Sequence, residues 1–201
     1  EFRCVLFRSE EINLAKKIEV TRRRFRRKVL ECDFALRIVV ETLKRVHSGE
    51  LPFDRTVKVS QTENLEKEKI LARMPHNLRT LEPLMEQNVE DFNKLLDERT
   101  SENARKELRR LIKIRRRKTV TLVEELSIRT QKVQPLMKRM QQISQRMTEL
   151  EQEIEKLRGN RTAKEDRANH LKELHDLMVQ TLEEPADLRK RVETVNERFE
   201  E

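Results

Sequence analysis

The apolar positions of this chain recur at spacings of three and four residues almost throughout, the period of a helix face and not of a strand. Over residues 10–46, Ile12, Ala15 and Ile18 share a face with Leu14, and Phe25, Val29, Cys32, Leu36, Val39 and Leu43 continue the stripe, with one break expected along it. Ser48-Gly49 supplies a stop, because glycine accepts the left-handed conformation past a helix end. Residues 48–61 contain Pro52 and the β-leaning Thr56-Val57-Lys58-Val59. They read as an ordered loop crossing a helix surface, anchored by Leu51 and Phe53; a lone strand there would lack a partner. Thr62 or Asn64 caps a short helix running to Met74. Pro75 suits the first turn of a second helix over 76–99, marked by Leu78, Leu81, Met85, Phe92 and Leu95 and kinked or interrupted at Pro83. Thr100 and Ser101 form the link onward.

The strictest pattern is a heptad seam: Leu108, Ile112, Arg115, Thr119, Leu122, Leu126, Arg129, Val133, Leu136, Met140, Ile143, Met147, Leu150, Ile154 and Leu157. All but Arg115, Thr119 and Arg129 are apolar, so the seam predicts one helix of about 75 Å at roughly 1.5 Å per residue, with a kink at Pro135. Gly159-Asn160 ends it. Residues 163–182 and 185–201 form two further helices, the last striped by Leu188, Val192, Val195 and Phe199. The seam needs a partner, and residues 78–95 and 171–182 supply one within the chain. The expected fold is therefore all-α, an elongated antiparallel helical hairpin or bundle with a coiled-coil-like seam, and monomeric.

Composition narrows this further. Charged residues make up 41% and hydrophobic residues 35%, against roughly 25% and 45–50% in average globular domains. Aromatics are 3%, without Trp or Tyr, so helices packed through narrow seams fit better than a thick core. Two Gly and five Pro leave little turn chemistry for a sheet protein. The net charge of +8 favours an anionic partner, although 37 acids accompany the 45 bases. No apolar run approaches the roughly 18–20 residues of a membrane span, and no secretion signal is recognised, so the expectation is a cytoplasmic chain without a membrane partner. Cys4 and Cys32 form neither a metal pattern nor a disulfide framework.

Enzyme signatures are missing from the pattern. There is no Gly-rich phosphate loop. His170 and His175 are five apart, off the four-residue spacing of zinc ligands on one helix face, and His47 and His76 are isolated. The carboxylates mostly have a Lys or Arg three or four residues away. No catalytic, cofactor or metal site is expected. Two basic clusters remain. The first, Arg22 to Lys28, lies opposite the opening stripe. Arg22, Arg23 and Arg26 fall together on a helix, with Arg27 about 100° onward from Arg26. The second, Arg109 to Lys118, wraps the seam and reads as a solvated face. Neither has interleaved aromatics for base stacking, so any nucleic-acid contact would be to phosphate and blind to sequence.

Wording adds information that periodicity lacks. Glu10-Glu11-Ile12-Asn13-Leu14-Ala15-Lys16-Lys17-Ile18-Glu19 resembles the Glu-Glu-Ile-x-Leu-Ala-Lys-Arg-Ile-Glu signature of the primary (housekeeping) sigma factors of bacterial RNA polymerase. The downstream stretch Arg-Arg-Phe-Arg-Arg-Lys-Val-Leu-Glu-Cys-Asp-Phe-Ala-Leu is similar to the segment after the signature in many of them. The resemblance implies the end of region one over 10–47, the loop 48–61, and over 62–201 the variable helical insert before the promoter-melting region two. Regions two and four are outside the chain, so autonomous promoter recognition is not implied. Residues 1–9 resemble read-through of a common sequencing adaptor and are set aside; Ser9 would then cap the helix beginning at Glu10. On this resemblance the partners are RNA polymerase core and promoter DNA, with Lys16, Lys17, Arg22, Arg23, Arg26 and Arg27 as candidate contacts. The competing expectations are a structural or adaptor coiled-coil protein that binds another protein through a long helical hairpin, and a non-specific RNA-binding helical arm. Reading frame continuing past Glu201 into a segment close to Asn-Leu-Arg-Leu-Val-Val would favour the sigma resemblance.

Overall fold

The computed structural model describes residues 2–59 and 64–200, which form eight α-helices, one short 3-10 turn and a single isolated bridge. The helices are α1 (Phe2–Leu30), α2 (Asp33–His47), α3 (Phe53–Thr56), α4 (Asn64–Leu96), α5 (Glu102–Glu124), α6 (Thr130–Lys156), α7 (Lys164–Thr181) and α8 (Pro185–Glu200). The all-α expectation holds. α4 and α5 form an antiparallel hairpin. α6 packs against α7 and α8, α8 runs antiparallel along α1, and α2 lies between α4, α6 and α7.

The expected break in the opening helix falls at Glu31-Cys32, where Cys32 is extended (φ −84°, ψ 122°). The break redirects the stripe: Phe25, Val29 and Leu30 face one set of helices, and Leu36, Val39, Val40 and Leu43 another, all in one continuous core. Gly49, at φ +83°, turns the chain after α2, and Gly159, at φ +87°, does so after α6. α1 extends back to Phe2, so Ser9 lies inside the helix instead of capping it. Thr62 lies outside the described residues.

Two boundaries differ from the pattern. The first is at Pro75, which does not open a new helix; α4 runs through Pro75 and Pro83 alike. A proline inside a helix loses one backbone bond, and here the stripe Ile70, Met74, Leu78 and Leu81, buried against the core on both sides of Pro75 and continued past Pro83 by the partly buried Met85, holds the helix together.

The second is the seam, which is not one helix. It breaks at residues 125–129, ahead of Pro135, which sits one turn inside α6. Ser127 adopts a left-handed conformation (φ 53°). Ile128 pairs with Val57 in the antiparallel bridge, through Lys58 N–H to Ser127 O (2.7 Å) and Arg129 N–H to Thr56 O (3.0 Å). The loop after α2 thus has the strand partner its sequence did not reveal. Arg129, the third polar seam position, donates from Nε to the carbonyls of Asp54 and Val57, each at 3.1 Å. Asn77 of α4 closes the other side, its amide donating to Leu122 O (2.9 Å) at the end of α5. Apolar periodicity continues through the break because Leu126 and Ile128 are themselves buried core residues.

Candidate functional site

Residues 10–24 of α1 extend past the bundle with no buried side chain among them. Ile12 is 48% exposed, Leu14 59%, Ile18 41% and Val20 48%, so the expected apolar stripe is not buried before Phe25. The reason is a missing opposing surface. α1 and α8 pair from Glu31–Arg191 (3.2 Å) out to Phe25–Phe199, whose rings are 5.4 Å apart, and further back along α1 Ile12, Leu14, Ile18 and Val20 are left uncovered.

Lys16, Lys17, Arg22, Arg23 and Arg27 are exposed on this segment. Arg23 approaches Glu124 at 3.8 Å from a mostly solvated position. Arg26 is different: it is 8% exposed and grips both oxygens of Glu124, Nε at 3.0 Å and Nη2 at 3.1 Å, while Nη1 donates to Thr130 Oγ1 at 2.9 Å. This fork joins α1 to the ends of α5 and α6 and leaves Arg26 no free donor face for phosphate. Glu19, two turns earlier, is held below its usual range by a hydrogen bond from Lys58 (2.6 Å), with Arg26 and Arg22 adding to it. Of the five exposed cations Lys16, Arg23 and Arg27 share one helix face that can meet an extended anion, with Lys17 and Arg22 to either side of it, and Arg26 is a structural member beneath.

The second basic cluster is a solvated face only in part: Arg109, Arg110, Lys113, Arg117 and Lys118 are exposed, whereas Arg115 and Arg116 are drawn inward. Arg115 reaches Asp91 Oδ2 at 2.6 Å and Asn88 Oδ1 at 3.2 Å across the α4–α5 hairpin. Arg116 turns inward and bonds Asp33 at the start of α2, the Leu182 carbonyl (2.8 Å) and Glu183 (3.1 Å) between α7 and α8. Arg191 of α8 bridges Glu183 and Glu31, and Asn88 donates to Asp33 Oδ1 at 3.2 Å. One polar network thus ties α1, α2, α4, α5 and α8 together. Burial pushes the Glu183 carboxyl up, and the charges of Arg191 and Arg116 oppose that shift. Asp91 moves the other way. Its burial works against ionisation, but Arg115 and Lys94 outweigh it and hold the carboxyl below its usual range.

Asp33, Asn88, Glu183 and Arg191 carry no distinguishing mark in the sequence; the signal that could have found part of this set is Arg115, a charged residue at one of the three polar positions of the seam. Among the described residues no group of three or more His, Cys, Asp or Glu side chains is placed to hold a metal ion, and no helix is long and apolar enough to cross a membrane. Compared with protein-family models, with curated proteins and with solved structures, the chain finds no match in any of the three.

Proposed function

We propose that this chain is the end of region one and the helical insert of a bacterial primary sigma factor, working in the cytoplasm as a monomeric docking element on RNA polymerase core beside promoter DNA. The reading rests on the resemblance of residues 10–19, supported by one observation: that stretch is helical and its side chains are exposed up to Ile18, with Glu19 half-buried. Four apolar side chains held in water on one helix segment fit a macromolecular partner. Lys16, Lys17, Arg22, Arg23 and Arg27 beside them supply phosphate contacts, which position DNA without reading its sequence. The role is binding and positioning, with no chemical step.

The test uses the complete promoter-binding protein carrying Arg22→Gln, Arg23→Gln and Arg27→Gln, with Arg26 kept because it belongs to the fold. Affinity of the polymerase complex for promoter DNA is measured against salt concentration. Each lost phosphate contact is expected to flatten the slope of log affinity on log salt by roughly 0.9, and the loss should be the same on different promoters. Neutralising Arg110 and Lys118 is the control. An unchanged slope rejects the DNA-facing role of α1. Failure to bind polymerase core at all rejects the sigma reading and leaves the helical adaptor protein in its place.

A further inference from the structure

A cleft of about 650 Å³ opens between α5 and the α7–α8 junction. Seven cationic side chains line it against four acidic ones. Most of these are already paired with each other. Glu31 is bonded by Lys28 and Arg191, Glu184 by Arg109 (3.2 Å), and Glu183 by Arg116 and Arg191. Three exposed cations on the rim have no ionic partner among the described residues: Lys113 and Arg117, one turn apart on α5, and Lys190 on α8. Asp187, the fourth lining acid, is exposed as well.

The floor differs in character from the rim. Phe92, Ile112 and Leu182 form a small apolar cluster of their own there. Beside them lies Glu183, 2% exposed, with both cations on Oε1 and with Oε2 lacking any hydrogen-bond partner. A buried oxygen without a donor is uncommon in a settled fold. It repels phosphate and accepts from N–H or O–H groups, so anionic groups belong at the rim and a neutral, donor-bearing body at the floor. The volume lies within the range of small-molecule sites.

We propose that this cleft binds a small organic polyphosphate of the nucleotide class, its phosphates on Lys113, Arg117 and Lys190 and its uncharged body against Phe92, Ile112 and Leu182, donating a hydrogen bond to Glu183. The site is separate from the exposed segment of α1 and stands whether or not the sigma reading does.

Calorimetric titration of the 201-residue chain with ATP, inorganic tripolyphosphate and adenosine tests it. ATP binds saturably at one site, and tripolyphosphate binds more weakly because it leaves the floor empty. The triple substitution Lys113→Gln, Arg117→Gln, Lys190→Gln weakens ATP by about tenfold or more, since three charge-assisted contacts are lost. All three residues are exposed, and an unchanged melting curve verifies that the variant is folded. The matched substitution of Arg22, Arg23 and Arg27 on α1 leaves ATP affinity within about twofold, the scatter expected of distant surface charges. The proposal is overturned if ATP does not saturate, if tripolyphosphate binds as tightly as ATP, or if the α1 variant loses as much. It is equally overturned if the rim triple abolishes binding of a duplex DNA while ATP fails to compete with that DNA.

Discussion

Replacing Arg116 by Met removes the centre of the buried network while keeping a long, flexible side chain of similar reach. Two carboxylates then lose a cation: Asp33, 3% exposed, and Glu183, 2% exposed. Breaking one partner out of a buried ion pair costs about 3–5 kcal/mol. Here the cost sits near the lower limit. Asp33 keeps the Asn88 amide and its place in the first turn of α2, where the helix dipole favours a negative charge; Glu183 keeps Arg191. A loss of about 3 kcal/mol corresponds to a fall in melting temperature of roughly 6–12 °C for a chain of this size. Thermal and urea melts followed by helical circular dichroism read it directly. Lys113→Met, on the exposed face one turn away, serves as the control and should change stability by no more than about 0.5 kcal/mol. Adding Asp33→Asn to Arg116→Met should cost less than Asp33→Asn costs in the parent chain, a coupling of about 0.5–3 kcal/mol between contacting residues. A melting temperature within about 2 °C of the parent, or strictly additive substitutions, would refute the network as a structural element.

Groups elsewhere in the bundle give two further outcomes. Because Arg115 and Lys94 lower the Asp91 carboxyl below its ordinary value of 3.8, the stability it contributes is fully present above that value and is lost as pH falls through the lower folded value. Urea melts should show Asp91→Asn less stable than the parent at neutral pH, the gap closing below pH 3.8; a gap that widens on acidification contradicts the assignment. The Cys32 thiol is pushed up to about 12, first by its complete burial and then by the charge of Glu183. In a Cys4→Ser background it should resist a thiol reagent at neutral pH and react fully once the chain is denatured, whereas rapid reaction of the folded chain would show that the α1–α2 break opens readily.

Much of the architecture is legible in the sequence because it depends on local rules. Apolar spacing marks the helices, and Gly49 and Gly159 mark two ends by backbone freedom. The errors come where a long-range partner overrides the local rule. Pro75 carries a boundary signal, yet the core on one side of α4 holds the helix across it. Apolar heptad positions at Leu126 and Ile128 carry a continuity signal, yet both are buried through a turn that pairs with Val57. Periodicity reports which side of a chain is fit for burial. It does not report whether the backbone stays helical while presenting that side.

The candidate sites show the same division more sharply. Six basic residues near the start look equivalent in sequence, and Arg26 is separated from the rest only by Glu124, 98 positions later. The opposite case is Ile12, Leu14 and Ile18, which have the apolar character of core positions but no described helix opposite them. Charge and hydrophobicity each set what a residue needs, a counter-charge or cover from water, and the fold decides which needs are met inside the chain. Arg115, Arg116 and Arg26 are met by acids of α4, α2 and α5, so their basic character says nothing about nucleic acid. The needs of residues 12–24, and of the rim at Lys113, Arg117 and Lys190, are largely unmet. Function is therefore sought at those two places, where an outside partner supplies what the chain does not.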